Sequence, residues 1–531
     1  MSLLFFKPKL IEALHGYNRA RFVADLMAGA TVSVVALPLA MAFAIASGLN
    51  PQAGLVTAIV GGFLIAALGG SRVQIGGPAG AFIVLVYTIV KTHGVAGLML
   101  ATCMSGLWLL LMGMLRMGVL IRFIPVAVIT GFTNGIAVLI AMSQCKDFLG
   151  LPLLDMPTDA FGLVNAVMLH LSDIQPLYIA LNLCCLAILV FWQFGLKPYL
   201  PLPVYRCLRW IPGPLCVLLV AGFGVWWTGL PVETIGSRFG HLPEDGLTFH
   251  SLSFSLSDVQ ALLKPSLTLA LLGAIESLLC ARVADSMVQD RHNPNQELMA
   301  QGIANAVMPF VGGMPATGTI ARTVTNVKYG ASSPVAGMVH ALGLWLIVWL
   351  AAPLVKWVPM GALSAILLFV AWNMGEWRAF ARLKQFRWPY RWTLLAVFAL
   401  TVLVDLTVAI AVGLVAASLT FIYRISNLTH RELLLDNGDT QNWAITGALF
   451  FGAVDVLTSL IHRLPKQRLN LDCKGVIYMD ASGADAMKDL YQACQNQGVT
   501  LTLSGLNAQP KDILKRVGLL KPLQTPEAIQ V

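Results

Sequence analysis

Long apolar runs dominate this chain. From about Arg21 to Tyr423, stretches of mostly apolar residues alternate with short turns rich in Gly, Pro and basic residues. Each stretch is about 20 residues long, and at about 1.5 Å of helical rise per residue this spans a hydrocarbon core about 30 Å thick. The pattern therefore predicts about fourteen membrane-spanning helices, two of them short.

Two of the apolar stretches are interrupted at their start by Gly and Pro. They read "VQIGGPAGAFIVLV" around Pro78 and "GGMPATGTIARTVTNV" around Pro315. Lipid cannot hydrogen-bond a bare backbone, so a helix that begins part-way across the bilayer needs protein or a water-filled cavity to satisfy its amides. Two half-helix N-termini directed at one point supply partial positive charge there. The pair predicts an anion site near the bilayer midplane of a transporter.

The broken stretches occupy corresponding places in two halves of the chain. Pro78 and Pro315 lie 237 residues apart, and the helix starts at Pro125 and Pro359 lie 234 apart. We expect one repeat over about 21–230 and a second over about 258–424. With seven spans in each half, the second repeat is inverted relative to the first. Chance spacing in apolar sequence is the alternative at this stage.

Composition and charge agree with a membrane protein. The mean hydropathy is +0.75, and 57% of residues are hydrophobic against 11% charged, which excludes an ordinary soluble enzyme. The net charge is +9, and most of the basic residues lie in the even-numbered turns between the predicted spans. This is the positive-inside pattern, and it predicts a multi-pass inner-membrane protein with both termini cytoplasmic and no nucleic-acid partner. The nine cysteines show no metal-ligand spacing, so we expect packing cysteines and no metal. The spans contain no haem pair, no nucleophile elbow and no metal cluster, so we also expect no cofactor and no enzyme activity.

Glu276 lies in the middle of the apolar segment "LALLGAIESLLCARVAD". An ionised carboxylate there costs about 2.5–3.5 kcal/mol on the insertion scale. A carboxyl group balanced between burial and a nearby cation can change protonation when an anion enters, as proton coupling requires. The alternative is a permanently protonated Glu that bonds a neighbouring helix. Arg322 either completes the anion site, balances Glu276 or ties down the broken helix, and Thr317 and Thr319 either cap that helix or contact substrate.

The chain resembles the sulfate permease (SulP) family of anion transporters over nearly its whole length. The motifs "LPLAMAFAIASGLNPQAGLVTA", "GGSRVQIGGPAGAF", "IPVAVITGFTNG", "GAIESLLCARVAD", "GGMPATGTIARTVTNVKYGASSP" and "MDASG" follow in the family's order. The resemblance implies a polytopic α-helical fold of fourteen spans, arranged as a seven-plus-seven inverted repeat. It implies a core and a gate subdomain, as in uracil permeases, with short strands opening the third and tenth spans. It also implies elevator-like transport and a homodimer.

The resemblance also implies a substrate site at four spans. Its residues are Ala42, Phe43, Ala79, Gly80, Ala81, Glu276, Thr319, Ile320, Ala321 and Arg322. Sodium-coupled bicarbonate members have Asp at the position of Glu276 and Thr at that of Ile320. Because isoleucine offers no oxygen to a hard cation, this departure favours proton coupling through Glu276.

The chain changes character after Arg424. Strands and amphipathic helices alternate there as in a soluble α/β unit. We expect a cytoplasmic segment over 1–20, a transport domain over 21–424 and a cytoplasmic α/β domain over 425–531, which the resemblance names STAS. Ser482 falls where related domains are phosphorylated, but capping of a helix that begins near Gly483 is the default expectation.

The family members most like this chain imply a function. They are proton-coupled carriers of C4-dicarboxylates, so we expect proton-linked uptake of succinate, fumarate or a similar anion. Sulfate or bicarbonate transport, coupled to protons or sodium, is the alternative, as is an anion channel or exchanger. A scaffold whose C-terminal domain recruits a cytoplasmic protein is a further alternative.

Overall fold

The computed structural model describes residues 6–119, 125–152, 157, 160–195, 212–240, 249, 251, 255–404 and 406–520. The outer ends of the predicted N-terminal and STAS segments, 1–5 and 521–531, lie outside the described residues. The chain divides into two compact units, Met1–Gly413 and Leu414–Val531.

The helices of the first unit follow the apolar stretches of the sequence. In chain order they are α1 (Lys9–Ala13), α2 (Arg19–Ala46), α3 (Pro51–Val56), α4 (Gly62–Leu68), α5 (Ile83–Met114), α6 (Val126–Ser143), α7 (Cys145–Leu149), α8 (Ala160–Leu169), α9 (Pro176–Val190), α10 (Gly213–Thr228), α11 (Ile235–Phe239), α12 (Leu256–Val288), α13 (Pro294–Val307), α14 (Ile320–Lys328), α15 (Val335–Val355), α16 (Met360–Met374), α17 (Trp377–Ala381) and α18 (Trp388–Leu403). A further helix, α19 (Leu406–Leu428), crosses the boundary between the two units.

Short irregular turns connect several of these helices. A π-helical turn, Thr57–Gly61, joins α3 to α4, and a second, Phe191–Gly195, follows α9. Turns of 3₁₀ helix cover Gly80–Phe82, Leu171–Asp173, Met308–Val311 and Leu383–Gln385. Two short strands, β1 (Gly76–Gly77) and β2 (Thr317–Gly318), lie within the apolar region.

Among the described residues, seven helical segments are long and apolar enough to cross a membrane, and five more apolar helices have 10–17 residues. Gly94, with φ of 68°, divides α5 into two segments. The part of α5 before Gly94 and the nine-residue α14 are the two short ones. The arrangement agrees with the predicted fourteen spans and inverted repeats.

The spans pack as two helix groups. Helices α2–α5 and α12–α15 pack closely with one another, and we call these the core group. Helices α6, α9, α10, α16 and α18 pack mainly among themselves and form the gate group. Helices α10 and α16 also contact α2, so the two groups meet along this helix.

Two glycines allow α5 and α13 of the core group to pack with their backbones close together. A Cβ added at Gly106 would lie 2.5 Å from the Ala306 nitrogen, and one added at Gly302 would lie 2.6 Å from the Leu110 nitrogen. Small residues let membrane helices approach with their backbones nearly in contact. Any larger residue at either position must push α5 and α13 apart.

The second unit is an α/β fold around one mixed sheet. Its strands are β3 (His430–Asp436), β4 (Thr440–Leu449), β5 (Arg468–Met479) and β6 (Thr500–Ser504), and its helices are α20 (Asp455–Ile461), α21 (Ala481–Asn496) and α22 (Ala508–Arg516). The strand order is β3-β4-β5-β6, with β3 antiparallel to β4 and the other neighbours parallel. Burial raises the pKa of Cys473 to about 12 and that of Cys494 to about 11, so both thiols stay protonated at neutral pH.

One expectation about the second unit needs correction, and another meets a continuous helix. The boundary expected between residues 424 and 425 falls inside α19, so one helix continues across it. The expectation that Ser482 caps a helix is wrong, because α21 begins at Ala481 and its cap is Asp480. The Asp480 carboxylate accepts a hydrogen bond of 2.8 Å from the Gly483 N–H. Ser482 lies one residue inside the helix, half-buried.

We predict that Gly302→Ala lowers the stability of the first unit. The added methyl group meets backbone atoms of α5, and overpacking of this kind costs about 1–3 kcal/mol. Thermal unfolding of the purified protein in detergent measures the effect. The control is Gly224→Ala in α10, where an added Cβ meets no heavy atom within 4 Å. Equal unfolding temperatures for the two variants would contradict the prediction.

Candidate anion-binding site

The two broken segments meet as an antiparallel strand pair. Gly76 of β1 lies opposite Gly318 of β2, and Gly77 lies opposite Thr317. A 3₁₀ turn beginning at Gly80 leads from β1 into α5, and α14 begins at Ile320, just after β2. Two helix N-termini from opposite repeats therefore begin beside one strand pair. This confirms the prediction that the third and tenth spans open with short strands.

Polar side chains from four neighbouring segments satisfy the backbone of the crossing segments. Because an unpaired backbone group in lipid costs several kcal/mol, these bonds are needed for the strands to exist at this depth. Asn305 Oδ1 accepts from the Ala316 N–H while its Nδ2 donates to the Ala316 C=O, and Thr57 Oγ1 accepts from the Met314 N–H and donates to the Met314 C=O. Thr323 Oγ1 accepts from the Ile75 N–H, and Asn326 Nδ2 donates to the Val73 C=O. Thr317 Oγ1 donates to the Gly273 C=O, and all of these bonds measure 2.7–3.0 Å. Apart from Thr317, none of these side chains was predicted from the sequence, although Thr57 and Asn305 are polar residues within apolar stretches.

Thr319 also supports the strand pair. Its N–H and its hydroxyl both donate to the Ile75 carbonyl, at 2.9 and 3.0 Å. Thr317 donates its hydroxyl to α12, as described above. Neither hydroxyl caps α14 with a hydrogen bond. Both donate to backbone carbonyls and so tie the strands to neighbouring segments.

Arg322 lies behind the strand pair. Its side chain is 1% exposed, and a Cβ added at Gly77 would lie 2.6 Å from its Nη1. Neither Nη1 nor Nη2 has a hydrogen-bond partner among the described residues, and no ion pair joins Arg322 to Glu276. The guanidinium therefore places a positive charge directly beneath β1. Ile320 and Ala321 lie on the opposite, open side of the helix start, where Ile320 is 39% exposed.

Two carboxylates of the core group have contrasting surroundings. Glu297 of α13 is buried and accepts four hydrogen bonds, from the Gly70 and Ser71 N–H groups, Ser277 Oγ and Gln301 Nε2. Glu276 of α12 is half-buried, and its buried oxygen Oε2 has no hydrogen-bond partner among the described residues. Glu297, which sequence reasoning missed, is a structural group that binds the α4–β1 connection to α13. The alternative role of Glu276 is a hydrogen bond to a neighbouring helix, and its Oε2 forms no such bond among the described residues.

The first turn of the third span is tightly enclosed. A Cβ added at Gly80 would lie 3.5 Å from Phe43 Cε1 of α2 and 3.6 Å from Ile140 Cδ1 of α6. Phe43, Ala42, Ala79 and Ala81 are all buried. Core residues and one gate residue thus close around the start of this half-helix. Ile140 was not predicted, and sequence spacing offers no signal for its approach.

The structure brings the predicted site residues of spans 1, 3 and 10 together around the β1–β2 pair. Phe43 contacts Gly80, Arg322 lies beneath Gly77, and Ile320 opens α14 directly after β2. Glu276 lies on α12, which contacts both β2 and α14. Ser482 belongs to the other compact unit.

The repeated spans and the paired half-helix N-termini define a membrane anion transporter, and an α/β domain follows it in the chain. The profile of the sulfate permease family matches residues 22–396, and that of the STAS domain matches residues 443–529. The chain belongs to the sulfate permease family.

Relatives and solved structures agree with this membership. YvdB of Bacillus subtilis (strain 168), provisionally named a sulfate transporter, is 38% identical over 95% of both chains. The bicarbonate transporter BicA of Picosynechococcus sp. is 31% identical over 80% of this chain and 74% of its own length. The solved transmembrane domain of a cyanobacterial BicA matches with a TM-score of 0.65 and 27% identity, covering 76% of this chain and 98% of that one. Murine Slc26a9, an anion transporter solved in its inward-facing state, has the same fold, with a TM-score of 0.84 at 16% identity over 97% of this chain and 90% of that one.

We predict that Gly77→Ala reduces anion transport at least tenfold by displacing Arg322. The added Cβ cannot stay 2.6 Å from Nη1, so the guanidinium must leave its place beneath β1. The measurement is initial uptake in proteoliposomes for Gly77→Ala, Arg322→Gln and the double variant. If Gly77 acts through Arg322, the double variant loses no more than Arg322→Gln alone. Additive losses would contradict this mechanism.

Proposed function

We propose that this chain is a proton-coupled carrier of a compact inorganic oxyanion of the sulfate or bicarbonate type. The observation that carries the proposal is the meeting of two half-helix N-termini at one strand pair, with the Arg322 guanidinium buried beneath it. The backbone N–H groups and the fixed charge together attract an anion without a counter-carboxylate bonded to the arginine. The protein works in the inner membrane with both termini cytoplasmic.

The packing around the third span supports a small substrate. Phe43 and Ile140 leave only van der Waals distance to an added Cβ at Gly80, so the start of this half-helix has little lateral room. Such a surface suits a compact oxyanion better than a four-carbon chain. The names of the relatives, which refer to sulfate and bicarbonate, favour the same substrates. Both considerations favour the alternative substrates of the sequence analysis over the C4-dicarboxylates.

Glu276 and Ile320 support coupling to protons. Glu276 Oε2 is buried without a hydrogen-bond partner among the described residues. No bond to this oxygen therefore fixes the side chain in its neutral or its ionised form. Ile320 stands at the open start of α14 and offers no oxygen to sodium. Protonation of Glu276 would offset the charge of the entering anion. The core group would then carry both across the membrane against the gate group.

Uptake into proteoliposomes tests the substrate and the coupling ion. The substrates are radiolabelled sulfate, bicarbonate and succinate, with a pH gradient and a sodium gradient imposed separately. We expect accumulation of sulfate or bicarbonate above the external concentration when the outside is acidic, and no accumulation driven by sodium alone. Faster uptake of succinate than of either inorganic anion would overturn the substrate assignment. Downhill flux without accumulation would instead indicate a channel.

We predict that Glu276→Gln abolishes acid-driven accumulation but leaves anion exchange at a substantial fraction of its original rate. The amide keeps the shape of the side chain and cannot take up a proton. Because Glu276 Oε2 has no partner to lose, thermal stability should stay unchanged. Uptake, exchange and unfolding temperature are measured on the same preparations.

The matched control is Glu297→Gln. Replacing this four-bonded carboxylate places an amide N–H₂ where only acceptors fit, so this variant should lower the unfolding temperature. If Glu276→Gln accumulates anion like the unchanged protein, Glu276 is not the coupling residue.

A further inference from the structure

An apolar groove of about 670 Å³ lies where the core group meets the gate group. On the core side it is lined by Leu37 and Met41 of α2 and by Ile347 of α15. On the gate side the lining comes from α10, between Leu215 and Trp226, and the turn between α15 and α16 contributes Trp357 and Val358. The groove is distinct from the β1–β2 site, whose strand residues do not line it.

The lining of the groove is aliphatic and aromatic along its whole length. All of the residues that line it are Leu, Ile, Val, Met, Gly, Phe or Trp. Several are also open to the outside, including Leu219 at 53% and Phe223 at 60% exposed. Because α10 is an apolar membrane-spanning helix, its exposed face lies against lipid rather than water. An apolar ligand from the bilayer can therefore enter the groove sideways.

The dimensions match one acyl chain. From Leu215 to Trp226 the groove follows α10 for eleven residues, about 16 Å at helical rise. That is close to half of a hydrocarbon core about 30 Å thick, which is the depth that one lipid leaflet occupies. The volume lies within the range of about 300–1,000 Å³ that ordinary small-molecule pockets have.

The end of the groove beside the α15–α16 turn carries features that suit a lipid headgroup. Trp226, Trp227 and Trp357 cluster at the ends of α10 and α15, and aromatic residues of this kind favour the membrane interface. Lys356 stands beside them, with its Nζ 5.5 Å from the centre of the Trp357 ring. No ion pair joins Lys356 to another residue in the part of the chain that the structure describes. Its charge is therefore available to a headgroup that carries a net negative charge.

We propose that this groove binds one phospholipid, with an acyl chain along α10 and an anionic headgroup at Lys356. The lipid contacts α2 and α15 on one side and α10 on the other. Movement of the core group past the gate group must change the shape of the groove, so a lipid bound there favours one relative position of the two groups. The binding site stands whether or not the transported anion is the one proposed above.

Two glycines of α10 allow a matched test. A Cβ added at Gly222 would lie 3.8 Å from the Trp357 carbonyl oxygen, at ordinary van der Waals distance, so a side chain added there begins at the wall of the groove. Gly224 points to the other side of the helix and has no heavy atom within 4 Å of an added Cβ. The variants Gly222→Leu and Gly224→Leu therefore add the same side chain to the same helix, and only the first one fills the groove.

The experiment uses the full chain in proteoliposomes of phosphatidylethanolamine and phosphatidylglycerol, doped with phosphatidylglycerol that carries a photoreactive group in its acyl chain. After illumination, cross-linked peptides are identified by mass spectrometry. We expect label on the α10 peptide and on the α15–α16 turn. Gly222→Leu should lower that label at least fivefold, and Gly224→Leu should leave it unchanged. Lys356→Gln should lower it for phosphatidylglycerol but not for a phosphatidylethanolamine carrying the same photoreactive chain.

Three results would overturn the proposal. One is label that is uniform over all lipid-facing helices. Another is label that falls equally in Gly222→Leu and Gly224→Leu. The third is a protein–protein cross-link through α10, which would show that a second copy of the chain covers the groove. Exchange rates of the same variants provide the functional readout, and Gly222→Leu should change the rate at least threefold while Gly224→Leu does not.

Discussion

Everything in the transport unit depends on pairing backbone groups at a depth where water is scarce. The strands β1 and β2 break two apolar spans inside the hydrophobic region, and each exposes N–H and C=O groups that lipid cannot satisfy. The two strands bond each other, and threonine and asparagine side chains bond the residues that flank them. These side chains come from the segment around Thr57, from α13 and from α14 itself. The anion site is thus held by the same bonds that make a broken helix possible.

The buried titratable groups of the core group differ in how many hydrogen-bond partners they have. Glu297 is surrounded by donors and acts as a fixed part of the fold. Arg322 and His340 are fully buried. In the described part of the chain, Arg322 Nη1 and Nη2 and both ring nitrogens of His340 have no hydrogen-bond partner. Groups left in this way cost stability and are found where function requires them. The arrangement leaves the neighbourhood of β1 positively charged.

Much of this architecture was predictable from sequence. The Gly and Pro residues around Pro78 and Pro315 identified the broken spans, because few other patterns interrupt an apolar stretch so abruptly. Side-chain direction was not predictable in the same way. Nothing in the spacing shows that Arg322 turns back beneath Gly77 or that Ile140 reaches Gly80 from another helix. Asp480 rather than Ser482 caps α21, because the helix begins two residues before Gly483 and the choice of cap depends on that boundary.

The pairing of Gly76 with Gly318 also constrains how the protein is made. About 240 residues separate the partners, so β1 leaves the ribosome long before β2 exists. Until the second repeat has been synthesised, the third span has an unpaired strand and cannot settle stably in lipid on its own. The first repeat must therefore wait, shielded by the insertion machinery or by neighbouring spans, and the final topology of the membrane domain is completed only when the tenth span arrives.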